Sequence, residues 1–175
     1  PNAAAEMMCY KQMAAVLCNC CLSSDSCAIF VANGGLSVLS NLSAVDNDEC
    51  RQNCALALSR MLCCDPLTRD AVMRKSPALV IKRLCYCTDV ITRQRCARAL
   101  RLLSADPRGH DELMSTRGIE ALVELLTGAT GGKQASLVPQ EQNLDVNALD
   151  VLVIRICLVV TLEIAARRGA RDHMY

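Results

Sequence analysis

Thirteen cysteines in 175 residues are the first candidates for chemistry. A thiolate can hold a metal, attack a carbonyl or pair in a disulfide, and each role demands its own surroundings. A closed zinc site takes four ligands, usually from loops or hairpins. Cys18-x-x-Cys21 has the right spacing once, but inside an apolar stretch that reads as helix. No second such pair follows, and the two histidines, His110 and His173, stand far apart. A catalytic thiol needs a base beside it and a lowered pKa, and no cysteine-enzyme signature surrounds any of the thirteen. Cys18, Cys20 and Cys21 share one apolar stretch, Cys63 and Cys64 are adjacent, and Cys85 and Cys87 flank Tyr86. Such spacing suits small buried hydrophobes rather than a disulfide framework. It predicts reduced thiols in an intracellular protein. Gly128-Ala-Thr-Gly-Gly-Lys133 resembles a phosphate-binding loop but lacks one residue between its glycines. It also carries Gln134 where Ser or Thr should meet magnesium, and no strand precedes it. These residues predict no metal, no cofactor and no enzyme.

Charge is the more informative pattern. From Arg74 to Arg101 there are eight cations against the single anion Asp89, a net of +7 inside a chain of net +1. Cationic charge is therefore segregated along the chain. Arg95, Arg98 and Arg101 are spaced by three and share a helix face. The functional reading is a basic surface steering an acidic protein segment; the bland reading is a solvated outer face. Nucleic acid is a poor fit, since the chain is nearly neutral and has only three Tyr and one Phe for stacking.

The elements that must position these residues repeat. Gly35-Leu-Ser-Val-Leu-Ser-Asn-Leu42, Pro77-Ala-Leu-Val-Ile-Lys-Arg-Leu84 and Gly118-Ile-Glu-Ala-Leu-Val-Glu-Leu125 align without gaps, their starts 42 and 41 residues apart (77−35, 118−77). Arg51-Gln-Asn-Cys-Ala-Leu-Ala-Leu58 and Arg93-Gln-Arg-Cys-Ala-Arg-Ala-Leu100 align 42 apart (93−51). Asp70-Ala-Val-Met73 and Asp111-Glu-Leu-Met114 align 41 apart (111−70). Apolar residues within the blocks recur near i, i+3 and i+4, the helical period. Breaks fall at Asn33-Gly34-Gly35, Asp65-Pro66, Pro77 and Asp106-Pro107, where glycine caps and first-turn prolines are cheap. No alternating strand pattern appears. With 52% apolar residues and 2% aromatic, the core must be built from Leu, Val, Ile, Ala, Met and Cys. The matched Cys54 and Cys96 predict close helix–helix approach.

An all-helical period near 42 is the size of armadillo and HEAT units. The local pattern resembles the armadillo (ARM) repeat family. Gly34-Gly35 and Arg117-Gly118-Ile119 match the start of its second helix, and Cys54-Ala-Leu-Ala-Leu58 and Cys96-Ala-Arg-Ala-Leu100 match the core of its third. The resemblance covers about Ala14 to Met174 and implies an all-α fold, a right-handed α-solenoid. It implies a non-enzymatic protein–protein interaction scaffold, with Arg95, Arg98 and Arg101 on a third helix that lines a concave groove. Importin alpha carries a ladder of Trp and Asn on successive third helices. Aligned on Leu17, Leu58, Leu100 and Leu162, the Trp places hold Ala15, Leu56, Arg98 and Val160, and the Asn places hold Asn19, Arg60, Leu102 and Ile164. Only Asn19 keeps the ladder, so the chain does not look importin-like. Asn19 and Arg60 join the three arginines as candidate partner-binding residues.

The resulting division is a partial repeat over 1–33, repeats over 34–76 and 77–117, and a repeat over 118–175 carrying an inserted loop at about 127–147. Neither end shows an evident polar cap, which a soluble solenoid requires. The expectation is a fragment of a longer chain, or ends that dock on partners in a hetero-complex. The most apolar run, Val151–Ala166, is interrupted by Arg155 and Glu163 and is too short to span a bilayer. Two functions follow from the resemblance. One is a structural subunit of a cytoplasmic assembly, with cytoskeleton and cilium as locations where armadillo proteins with degenerate ladders occur. The other is an adaptor or chaperone-like module binding an acidic extended segment in a basic groove.

Overall fold

The computed structural model describes residues 2–87, 89–115, 118–131, 156–162 and 165–166. The described residues are helices joined by turns, with no strand among them. In chain order they form α1 (Ala3–Cys20), α2 (Ser24–Ala32), α3 (Gly35–Leu42), α4 (Asp48–Cys63), α5 (Pro66–Met73), α6 (Pro77–Leu84), α7 (Val90–Ala105), α8 (Pro107–Ser115) and α9 (Gly118–Gly131). A further helical stretch runs over 156–162.

Local sequence explains where these helices begin. Asn2, Ser23, Asn47, Asp65 and Asp89 each accept a backbone N–H of the first turn through the side chain, which satisfies donors that a helix start leaves orphaned. Pro66 and Pro77 occupy the first helical turn, where a missing N–H costs nothing. The caps before α3 and α6 occupy the same place in the repeat and share a left-handed backbone: Gly34 at φ 83° and Ser76 at φ 57°. Gly35 has a different constraint. A Cβ there would lie 2.5 Å from the ring of Phe30, so any larger residue at this place would require that ring to shift.

Packing follows the repeat. The long helices stack in a row, α1 on α4 and α4 on α7; α2 packs on α5, and α3 on α6 and α6 on α9. One continuous core runs through these layers. Its side chains are Leu, Ile, Val, Met, Ala and Cys, with Phe30 and Tyr10 only partly buried at its margin. Cys54 and Cys96 are buried at matching places in α4 and α7, and Cys157 is buried in the 156–162 stretch.

The structure departs from the sequence reading in two places. Helix α9 continues to Gly131, so the first residues of the expected 127–147 loop are helical; the rest of that loop lies outside the described residues. The alignment of the last long helix on Leu162 also shifts. Val160 is buried whereas Arg98, its supposed counterpart, is exposed. Setting Cys157 beside Cys54 and Cys96 matches Val160 to the buried Ala57 and Ala99, but it sets the exposed Leu158 against the buried Ala55 and Ala97.

Candidate functional site

The expected binding residues lie on the long helices. Arg60 is on α4, Arg95, Arg98 and Arg101 are on α7, and Asn19 closes the last turn of α1. Arg60 and Arg95 are half-buried, while Arg98, Arg101 and Asn19 are exposed. The structure therefore divides the set into two kinds.

Arg60 and Arg95 brace the stack. Arg60 Nη1 donates to the Cys18 carbonyl at 2.7 Å and lies 3.1 Å from Cys18 Sγ. Arg95 Nη1 donates to the Gln52 carbonyl at 2.9 Å. Outside the long helices, Arg83 Nη1 donates to the Ser40 carbonyl at 2.5 Å. The three bonds span 42, 43 and 43 residues, so each arginine reaches back by one repeat. At the end of α1 the Arg60 cation also meets the negative pole of the helix, where exposed carbonyls favour it. Arg69 does the same for α4, donating to the Leu62 and Cys64 carbonyls at 2.8 and 3.1 Å.

Arg98 and Arg101 make no such brace among the described residues. Arg98 Nη2 has only a 4.0 Å contact with Cys63 Sγ, and Arg101 makes no side-chain hydrogen bond among the described residues. None of Arg60, Arg95, Arg98 and Arg101 pairs with a carboxylate there, whereas other cations do. Lys11 meets Glu49 at 2.9 Å, Arg51 meets Asp46 at 2.9 Å, and Lys82 meets Glu120 at 3.1 Å. Arg74 and Arg108 both pair with Asp70. The +7 segment of the sequence is thus partly neutralised at Arg74 and Lys82, while Lys75, Arg83, Arg95, Arg98 and Arg101 have no carboxylate partner among the described residues. Burial lowers the pKa of Arg95 below its ordinary value; Cys18 and Asp89 oppose the shift, and Arg60 adds to it. Arg60 and Arg95 are thus close enough to feel one another.

Several thiols are held above their ordinary pKa and one, Cys50, below it. All thirteen cysteines are free, most of them buried. Burial raises Cys18, with Arg60 and Arg95 drawing it partway back. Burial raises Cys64 to about 11 and Cys157 to about 11. Cys54 is raised by its hydrogen bond with Cys50 and by burial; the same bond lowers Cys50. No cluster of three or more His, Cys, Asp or Glu among the described residues could hold a metal ion. The side chains of His110 and His173, and Lys133 with Gln134, lie outside the described residues. No helix among the described residues is long and apolar enough to cross a membrane.

The arginine braces were not legible as braces in the sequence. Their signal was present, since residues 60 and 18, 83 and 40, and 95 and 52 stand one period apart. An acceptor that is a backbone carbonyl leaves no mark in the sequence. No protein-family model matches the chain, and no curated protein matches it either.

Proposed function

We propose that the chain is a right-handed α-solenoid of armadillo-type repeats that serves as a non-enzymatic protein-binding scaffold. Its working surface is the arginine-bearing face of α4 and α7, and its partner is an acidic, extended segment of another protein. The observation that carries this reading is that, among the described residues, four arginines on two adjacent helices have no carboxylate partner while five other cations are ion-paired. Unneutralised like charges held side by side raise the local potential and steer anions to it. Arg60 and Arg95 supply charge from fixed positions, and Arg98 and Arg101 supply free donors. A guanidinium can meet a carboxylate with two parallel hydrogen bonds.

A second reading is a permanently assembled subunit of a cytoplasmic hetero-complex, with cytoskeletal and ciliary assemblies as candidate settings. It is supported by large exposed apolar residues on α1 and α9. The two readings are separated by affinity capture from native lysate with the wild type and an Arg98→Glu/Arg101→Glu variant. The double variant leaves the braces at Arg60 and Arg95 intact. Loss of a defined partner in the variant supports the acidic-segment reading. Recovery of the same assembly from both makes the arginine face incidental.

A further inference from the structure

An open cleft of about 470 Å3 lies between the end of α3 and the start of α4 on one side, and α6 with the turn after it on the other. Small-molecule sites span roughly 300–1,000 Å3, so the size fits. Arg51, Lys82 and Arg83 line it together with Ala44, Leu79 and Tyr86, and no carboxylate among the described residues does. The turn that carries Tyr86 is held here from α4, since Cys87 Sγ donates to Asp48 Oδ1 at 3.4 Å.

The carboxylates that pair with two of these cations stand outside the lining. Asp46 and Asp48 meet Arg51 at 2.9 and 3.7 Å, and Glu120 meets Lys82 at 3.1 Å. These three acidic side chains are 95%, 61% and 52% exposed, and such solvated pairs are weak and readily shared with an incoming anion. Arg83 has no carboxylate partner among the described residues. Its Nη1 donates to the Ser40 carbonyl at 2.5 Å and lies 2.9 Å from the Ser40 hydroxyl, which fixes the guanidinium while its other donors hold nothing among the described residues.

The repeat does not call for these residues. The shift of 42 that sets α6 on α3 (77−35) puts Ser40, Asn41 and Ala44 at the places of Lys82, Arg83 and Tyr86. The shift of 41 that sets α9 on α6 (118−77) puts Val123, Glu124 and Thr127 there. A requirement of stacking would recur at each of these places, and two cations with a ring occur at one of them. Tyr86 is 60% exposed and Leu79 42% exposed, so the cleft offers an uncovered apolar wall beside its cations.

We propose that this cleft binds a phosphate monoester carried on a flat apolar group, with the phosphate oxygens on Arg83, Lys82 and Arg51 and the flat group against Tyr86 and Leu79. A phosphate presents three oxygens to donors that converge from two sides, where a carboxylate presents two, and guanidinium geometry suits it. The ring of Tyr86 supplies a stacking surface for the ligand's apolar part. The inference goes beyond the acidic-segment reading, since it uses none of Arg60, Arg95, Arg98 and Arg101.

Titration of the isotope-labelled full chain with phenyl phosphate, followed by amide NMR, tests this. The expected result is a saturable change at the amides of Ala44, Leu79 and Tyr86 and none at Arg98 and Arg101. Inorganic phosphate and phenol each offer half of the contact and should each bind at least about tenfold more weakly. Lys82→Gln/Arg83→Gln should weaken phenyl phosphate by at least about tenfold. Arg83 also braces Ser40, so Lys82→Gln alone and Tyr86→Ala, an exposed side chain, decide the matter if the double variant does not fold; each should weaken binding with unchanged helical circular dichroism. A nucleoside monophosphate and a phosphotyrosine peptide, compared in the same titration, distinguish a metabolite from a modified protein as the source of the phosphate. Absence of saturable binding by phenyl phosphate overturns the proposal, as do equal binding by the folded variants and changes centred on Arg98 and Arg101. The Arg98→Glu/Arg101→Glu variant should bind phenyl phosphate like the wild type, which keeps this test separate from that of the arginine face.

Discussion

A guanidinium on a helix can serve the fold or a partner, and the difference lies in what its donors already hold. Arg60 holds the Cys18 carbonyl at the end of α1; Arg101 holds nothing among the described residues and is exposed. Arg60→Leu should remove a charge-assisted bond and leave the Cys18 carbonyl with the Cys21 N–H alone. The expected cost is about 1–2 kcal/mol, read as a lower urea midpoint at unchanged m-value. Arg101→Leu should move the same midpoint by less than about 0.5 kcal/mol. Equal losses from both would place Arg60 with the free arginines. The sequence marked Arg95, Arg98 and Arg101 by charge and spacing, and Arg60 by its place in the aligned ladder. It could not divide them, because the acceptors that occupy Arg60 and Arg95 are main-chain oxygens.

At the scale of the element, each helix start records a local decision. Gly34 and Ser76 solve the same turn, but only glycine takes a left-handed backbone without a Cβ penalty. Ser76→Gly should therefore stabilise the protein by about 0.5–1 kcal/mol, seen as a higher Tm. A lower Tm would mean that the Ser76 side chain contributes more than its backbone strain removes. The start of α6 is also held from another element. Glu112 on α8 accepts the Ala78 N–H at 3.1 Å. Burial raises its carboxyl from 4.5 to about 7, and the Ala78 bond pulls it partway back. A raised carboxyl binds its proton more tightly in the folded state than in the unfolded chain. Its contribution to stability is then greatest at low pH and declines as pH rises from about 4.5 through about 7. Glu112→Gln should flatten that part of the stability–pH curve; an unchanged slope would contradict the assignment. Most helix boundaries were legible because Asp-Pro, Asn-Gly-Gly and Pro77 carry their geometry in their type. The bond between Glu112 and Ala78 was not, since it joins residues 34 apart with no local cue.

At the scale of the molecule, like packs on like: α1, α4 and α7 form one row, and α3, α6 and α9 another. The period near 42 exposed this organisation in the sequence because each unit must bury the same stripe against its neighbours. It is weakest in the last unit, where residues between α9 and the 156–162 stretch break the spacing and the buried Val160 stands opposite the exposed Arg98 in the alignment on Leu162. The proposed function rests on the outward charge of the stack, for the arginines of α4 and α7 have no carboxylate partner among the described residues. A fluorescent peptide rich in glutamate, titrated with the full chain at low and at physiological salt, tests this most directly. The account predicts saturable binding that weakens with salt and falls at least about tenfold, equivalent to about 1.4 kcal/mol, in Arg98→Glu/Arg101→Glu. Absence of binding at low salt, or equal binding by the charge-reversed variant, would contradict it.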